Sequence, residues 1–271
     1  MITGHQHLQL AVTVHGVPVT QPGMKGTNVA MITLELDRNH QVTTSHPEIY
    51  PVADATPNTQ VMQLVGPIND QMEDWLDTPL GQINGNMLVH DHLQARLHNH
   101  PYIDFINRVE MAAPGTDIAA TALFNDYGPG LKQHVTMREV MNSYVYPNKL
   151  AVEAITGADL RAALERCASY FLLQDGHVRV NPEFMHPKLR HYVYDIYSGI
   201  DYTFDLTKPF GQRVVQLDYN GAPVTADQKL TVTLNHYRAG GGGNYPMYQT
   251  AKIIRRLPRS EEHTSELQSP K

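Results

Sequence analysis

Apolar and polar residues alternate over Leu8–Val14 and again over Asn28–Leu36, the two-residue period of a strand with one face buried. Between them His15-Gly16 turns the chain, and Val17–Gly23 reads as a short strand ending in a second turn. Residues 41–56 are polar, contain Pro47 and Pro51, and predict a linker. The period then lengthens. Thr56 is placed to cap a helix with Pro57 at its first position. Val61, Leu64, Val65, Ile68, Met72, Trp75 and Leu76 keep helical spacing. Gly66-Pro67 is expected to kink or split this helix, because proline lacks a backbone donor and its ring clashes with the preceding turn.

From residue 100 onward helical and extended patterns alternate. A helix is predicted over Tyr102–Ala112 with Ile103, Ile106 and Val109 inward, then a buried strand over Asp117–Phe124. That strand runs into Asn125-Asp126-Tyr127-Gly128-Pro129-Gly130, a loop at a strand's C-terminal edge, where α/β folds hold ligands. Thr136 and Glu139 have the spacing of a capping box. A strand follows over Lys149–Ile155. Thr156 and Asp159 then open a helix with Leu160, Ala163, Leu164, Cys167 and Phe171 on one face. The remainder is β-rich: Tyr192–Ile196, Ile200–Leu206, Val214–Tyr219 and Val224–Leu234, with Asn220-Gly221 a hairpin signal. This order predicts a mixed α/β (α+β) architecture.

Composition narrows the picture. The chain has 271 residues, 41% hydrophobic, enough for one to two domains with a substantial core. Its net charge of −6 and lack of a polybasic patch argue against a duplex nucleic-acid binder, although a single mononucleotide needs no such patch. No run of about 18 apolar residues suggests a membrane span. Cys167 is the one cysteine, so no intrachain disulfide forms, and its place on a helix's apolar face predicts a buried, inert thiol. His90, His92, His98 and His100 invite a metal reading, but no cysteine or acidic cluster completes a tetrahedral set, so they read mainly as surface or interface histidines.

The strand pattern Lys229–Asn235 runs into Tyr237-Arg-Ala-Gly-Gly-Gly-Gly-Asn-Tyr245-Pro-Met-Tyr248. Four glycines permit positive φ and a close backbone approach. A flexible linker would carry serine and glycine throughout, whereas tyrosines border this run, and Tyr245 is expected to present its ring at the loop's end. YRAGGGGNYPMY resembles the last signature of the 5′-nucleotidase C-terminal domain, and in particular the bacterial 2′,3′-cyclic-nucleotide 2′-phosphodiesterase/3′-nucleotidases. INRVEMA, TALFND, TMREVMNSYVYPNKL, ITGADLRAALE, YDIYSGIDY and GQRVVQLDYNG follow the family's order, and the resemblance extends from Ile2 to about Leu257.

The resemblance implies that Tyr146 and Tyr245 sandwich a nucleobase, at roughly 1–3 kcal/mol per stacked contact, and that Asn125 hydrogen-bonds the base or ribose. Read from the residues alone, Tyr146 is better taken as a core aromatic at a helix exit. Asn244 belongs to the Gly243-Asn244-Tyr245 end of the loop, where 5′-nucleotidases carry an aspartate-containing loop ending in phenylalanine. Gly128-Pro129-Gly130 stands where they carry an arginine. Both departures point to the cyclic-phosphodiesterase branch. Asn235 and Arg238 are placed to position the loop, and Arg238 reads equally as a solvated charge. His98 and His100 are weaker binding candidates.

Gly4-His5-Gln6-His7 is the metal candidate, although on its residues alone it reads as a polar strand end with two unrelated histidines. The resemblance assigns His5 and His7 to the two ions of a dinuclear centre of zinc, manganese or similar metals, which polarises a phosphoryl group and activates water. The family's other ligands and its catalytic His–Asp pair do not occur here. The expectation is therefore a parent that hydrolyses nucleotide phosphoesters, of which this chain is the nucleoside-binding part, inactive alone and lacking a preceding metallophosphoesterase domain. A plain 5′-nucleotidase or a nucleoside-binding module without catalysis is the alternative. The expected divisions are 1–40, the last strands of a metallophosphoesterase β-sandwich; 41–78, linker and interdomain helix; 79–258, the substrate-binding domain; and 259–271, an artefactual, disordered tail. Residues 1–5 carry no signal-peptide pattern. Localisation stays open, relatives being often extracytoplasmic.

Overall fold

The computed structural model describes residues 1–260, with side chains through Pro258. Two compact units divide the chain, residues 1–69 and 70–271. In the first, Gln9–Val14 pairs antiparallel with Val17–Pro22, and Asn28–Leu36 with Val42–Pro51. The second pair corrects the linker reading of residues 41–56. Pro47 lies opposite Ile32 in a two-stranded ladder, where a strand's outer edge needs no amide donor, so proline is tolerated. Val29, Leu34, Leu36 and Val42 of these strands remain exposed.

The helix Thr59–Leu76 starts later than Thr56 implied. Asn58 Oδ1 accepts the amides of Gln60 and Val61, the hydrogen bonds of an N-cap. It runs on through Gly66-Pro67 rather than dividing there. None of its residues is buried, and Leu64, Ile68 and Trp75 stand in its exposed apolar stripe. Its end is held by Arg138, whose guanidinium reaches Glu73 at 2.6 Å and Asp77 at 2.9 Å. Among the described residues no helix is long and apolar enough to cross a membrane.

The larger unit is built on a five-stranded sheet in the order Asp195–Ser198, Ala119–Ala122, Lys229–Asn235, Lys149–Thr156, Lys252–Ser260. All neighbours are antiparallel except Ala119–Ala122 with Lys229–Asn235. The helix Pro101–Ala112 packs on the first three strands, and Gly157–Ala168 on Lys149–Thr156. The predicted capping box of Thr136 with Glu139 forms, and Thr156, read as capping the next helix, does so in a capping box with Asp159. The Asn220-Gly221 turn also forms, both residues at positive φ, but it joins Val214–Tyr219 to only Ala222–Pro223. Lys229–Asn235 then leaves that small sheet for the centre of the large one, which carries the glycine loop to the core's edge. Residues 259–260 end the last strand, and the rest of the expected tail lies outside the described residues.

Candidate functional site

Asn235, the last residue of the central strand, turns the chain by accepting the Arg238 amide on its side-chain oxygen at 2.9 Å. The short helix His236–Ala239 sends alternate side chains in opposite directions. Tyr237 is 44% exposed, whereas Arg238 is 1% exposed. Arg238 forks onto Asp195, with Nε to Oδ2 at 2.5 Å and Nη2 to Oδ1 at 2.9 Å. It also donates to the carbonyls of Gly242 and Tyr192. Burial works against its charge, but the facing Asp195 carboxylate outweighs this and keeps the guanidinium charged. Arg238 is thus a positioning residue rather than a solvated charge.

The glycines are explained by what lies against them. A Cβ on Gly242 would sit 2.6 Å from the Tyr237 ring, and one on Gly243 would sit 2.4 Å from Arg238 Nη1. The loop backbone therefore wraps its own flanking residues, and side chains there would displace the Tyr237 ring or the Arg238 fork.

Tyr245 corrects the sequence reading. Its ring is fully buried rather than presented at the loop's end. It stacks on Tyr248 with centroids 5.8 Å apart and planes 4° apart, and the Arg238 guanidinium covers it at 4.0 Å. Its hydroxyl donates to the Val193 carbonyl at 2.9 Å and lies 3.1 Å from Cys167 Sγ. A tyrosine whose edge and both faces find partners inside the core has no reason to face water. Cys167 is likewise buried, which pushes its thiol up to about 12.

A set of exposed and half-exposed tyrosines gathers elsewhere. Tyr146, 43% exposed, meets Phe124 edge-on at 5.5 Å and Tyr192 at 6.2 Å, and Tyr192 in turn meets Tyr237 at 6.3 Å. Tyr127, 62% exposed, lies on the adjoining loop. Partial burial, then the neighbouring hydroxyls of Tyr192, Tyr127 and Tyr237, raise the Tyr146 phenol and keep it neutral. The result is a solvent-facing aromatic cluster, called the groove below, that includes predicted Tyr146 but has Tyr237 and Tyr192 where Tyr245 was expected. The signal that could have found Tyr237 was present: an aromatic at the strand exit, before the glycines rather than after them.

Asn125 is in the adjoining loop, but its side-chain oxygen accepts the amides of Tyr127 and Gly128 at 3.0 and 2.7 Å, an Asx turn that shapes the loop from within. Asn244 is exposed in the left-handed region at φ 66°. His100 caps the helix Pro101–Ala112 through Nδ1, and His98 is exposed at the end of the helix His92–Leu97. His5 and His7 are exposed at positive φ, and among the described residues no three His, Cys, Asp or Glu side chains gather to hold a metal. Two imidazoles alone do not fit a dinuclear centre. A separate cleft of about 410 Å³ is floored by buried Phe171, Tyr194 and Tyr197 and bears none of the exposed groove tyrosines.

Comparison with known proteins places this geometry. Over 279 aligned residues the chain is 27% identical to the 2′,3′-cyclic-nucleotide 2′-phosphodiesterase/3′-nucleotidase of Haemophilus influenzae, covering 84% of this chain and 41% of that protein. The Salmonella typhimurium protein of the same name is 25% identical, over 85% of this chain and 42% of its own. The chain thus spans about two fifths of these relatives' length. A Staphylococcus aureus structure designated a 5′-nucleotidase and solved with alpha-ketoglutarate superposes with a TM-score of 0.88 at 36% identity, covering all of this chain and 54% of that one. A Thermus thermophilus 5′-nucleotidase precursor shares the fold at 19% identity and a TM-score of 0.58, over 95% of this chain and 50% of its own. The family model for the 5′-nucleotidase C-terminal domain matches residues 79–250, a range that contains the whole aromatic groove, and the chain belongs to that family.

Proposed function

We propose that the groove of Tyr146, Tyr192 and Tyr237 holds the base of a nucleotide or nucleoside, and that the chain is the substrate-binding part of a nucleotide phosphoester hydrolase. The observation that carries this is one exposed aromatic cluster, built from three separated segments and supported from beneath by the Arg238–Asp195 fork. Exposed tyrosine rings cost little ordering entropy and offer faces to any base. The favoured reaction is that of a 2′,3′-cyclic-nucleotide 2′-phosphodiesterase/3′-nucleotidase, the name carried by the Haemophilus and Salmonella relatives. Gly243-Asn244 stands where the resemblance places an aspartate in 5′-nucleotidases, which supports that choice. The Staphylococcus similarity supports 5′-nucleotidase as the second reading. Hydrolysis in the parent would draw on two divalent cations, toward which this chain offers only His5 and His7.

Calorimetric titration of the chain with adenosine and with 3′-AMP, without metal, tests the binding claim. Similar affinities are expected for both, since the base carries the binding. No binding to a chain shown by circular dichroism to be folded would defeat the reading. Turnover of a chromogenic phosphodiester by this chain with added metal is expected to be absent, and its appearance would overturn the division of labour.

A further inference from the structure

Two sides of the aromatic cluster come from segments far apart in sequence, the Phe124–Gly130 loop and the Arg190–Tyr194 segment, and the Asp126 side chain lies between them. Asp126, half exposed, receives Arg96 Nη1 on Oδ1 at 2.6 Å, while His191 Nε2 comes within 3.1 Å of Oδ2 without the alignment of a full hydrogen bond. Both partners are anchored from behind. Arg96, 1% exposed, also donates Nη2 to the carbonyls of Leu123 at 2.9 Å and Asn125 at 3.0 Å. His191 Nδ1 lies 2.5 Å from the buried Tyr170 hydroxyl. On the same loop, His92 Nε2 meets the Gly128 carbonyl at 2.9 Å.

A carboxylate only accepts, so hydrogen on the His191 Nε2 that faces Asp126 avoids lone-pair repulsion. In that tautomer Tyr170 donates to Nδ1. Burial, then repulsion from Arg96, keeps the imidazole neutral. Partial burial pushes the Asp126 carboxyl up, but the Arg96 hydrogen bond and charge outweigh this and hold it ionised.

We propose that Asp126 is a positioning residue for nucleoside binding: held by Arg96 and facing His191, it ties the Phe124–Gly130 loop to the segment bearing Tyr192 and so sets the spacing of the exposed rings on the two segments. The inference rests on the nucleoside reading above. It also gives the buried His191–Tyr170 pair a role, since a rigid imidazole adjacent in sequence to Tyr192 holds the second side as Arg96 holds the first.

The test is adenosine titration of the whole chain and of its Asp126→Ala and Asp126→Asn variants, each checked by circular dichroism and repeated in excess sodium formate. Loss of charge-assisted contacts is expected to weaken adenosine about tenfold in Asp126→Ala. Formate, filling the half-exposed space left by the carboxylate, should recover part of that loss and leave the unsubstituted chain unchanged. Asp126→Asn should fall between the two, because one of its two polar atoms is a donor facing donors. A contact that only stabilised the loop would lower the melting temperature without a formate-dependent affinity. Unchanged adenosine affinity in Asp126→Ala, or a loss that formate does not recover, overturns the positioning role alone. Absence of adenosine binding by the unsubstituted chain overturns the nucleoside reading and the positioning role with it.

Discussion

Two tyrosine populations lie back to back in this domain, and they are made differently. Beneath the surface, Tyr245, Tyr248, Tyr197 and Tyr194 are buried with every hydroxyl partnered: Tyr197 to Tyr248 at 2.6 Å, Tyr245 to the Val193 carbonyl, Tyr194 to the Arg96 carbonyl at 2.9 Å. At the surface, Tyr146 and Tyr237 are each more than two fifths exposed, and they meet Tyr192 only edge-on. Arg238 joins the layers, since its guanidinium covers the Tyr245 face while its backbone neighbour is Tyr237. Burial commits a tyrosine's ring and hydroxyl to the fold, and exposure leaves its ring available to a ligand. The same residue type in one twelve-residue motif serves both ends.

Substitutions should separate the layers cleanly. The largest effect is expected from Tyr245→Ala, which empties a fully buried ring site and should cost about 3–5 kcal/mol of stability. Urea unfolding measures it, and a cost below about 1 kcal/mol would show that the ring is not core. Next is Tyr237→Ala, which should leave the unfolding midpoint nearly unchanged yet weaken adenosine by about 1–3 kcal/mol. Equal affinity in that variant would remove Tyr237 from the groove. Tyr245→Phe, which keeps the ring and removes only the hydroxyl, should lower stability by about 0.5–1.5 kcal/mol with adenosine affinity intact. A weakened affinity instead would return Tyr245 to the site.

The smallest signal is expected from Cys167, which touches the Tyr245 hydroxyl. Burial raises its thiol to about 12, so the thiolate is scarce throughout the neutral range. Alkylation of the folded chain should be negligible at neutral pH and appear only with denaturant, as mass spectrometry can follow. Rapid labelling without denaturant would mean that the buried layer opens.

Much of this was legible in the sequence because it is local. The capping box at Thr136, the cap at Thr156, the Asn220-Gly221 turn and the inward face of Pro101–Ala112 rest on spacings within one element, and they appear as read. The strand Val42–Pro51 was missed because two prolines speak against a central strand but not against an edge. At the site, Tyr146 lies in the groove, but choosing between Tyr237 and Tyr245 required knowing which way Arg238 points. That is decided by Asp195, 43 residues away in the chain. Likewise the glycines announce a close approach without saying to what; the answer, Tyr237 and Arg238, lies within the motif but only in three dimensions.

The half-exposed Trp75, on the helix Thr59–Leu76, has a consequence for optical measurements. It is the single indole in the sequence, whereas of 14 tyrosines only Tyr50 lies outside the stretch from Tyr102 to Tyr248. Red-edge excitation therefore reports solvent around one helix, while phenol absorbance reports the groove and the layer beneath it. A ligand that perturbs the phenol band and leaves the indole emission fixed has been read locally. One that shifts both has reached the helix as well, a distinction available without a label.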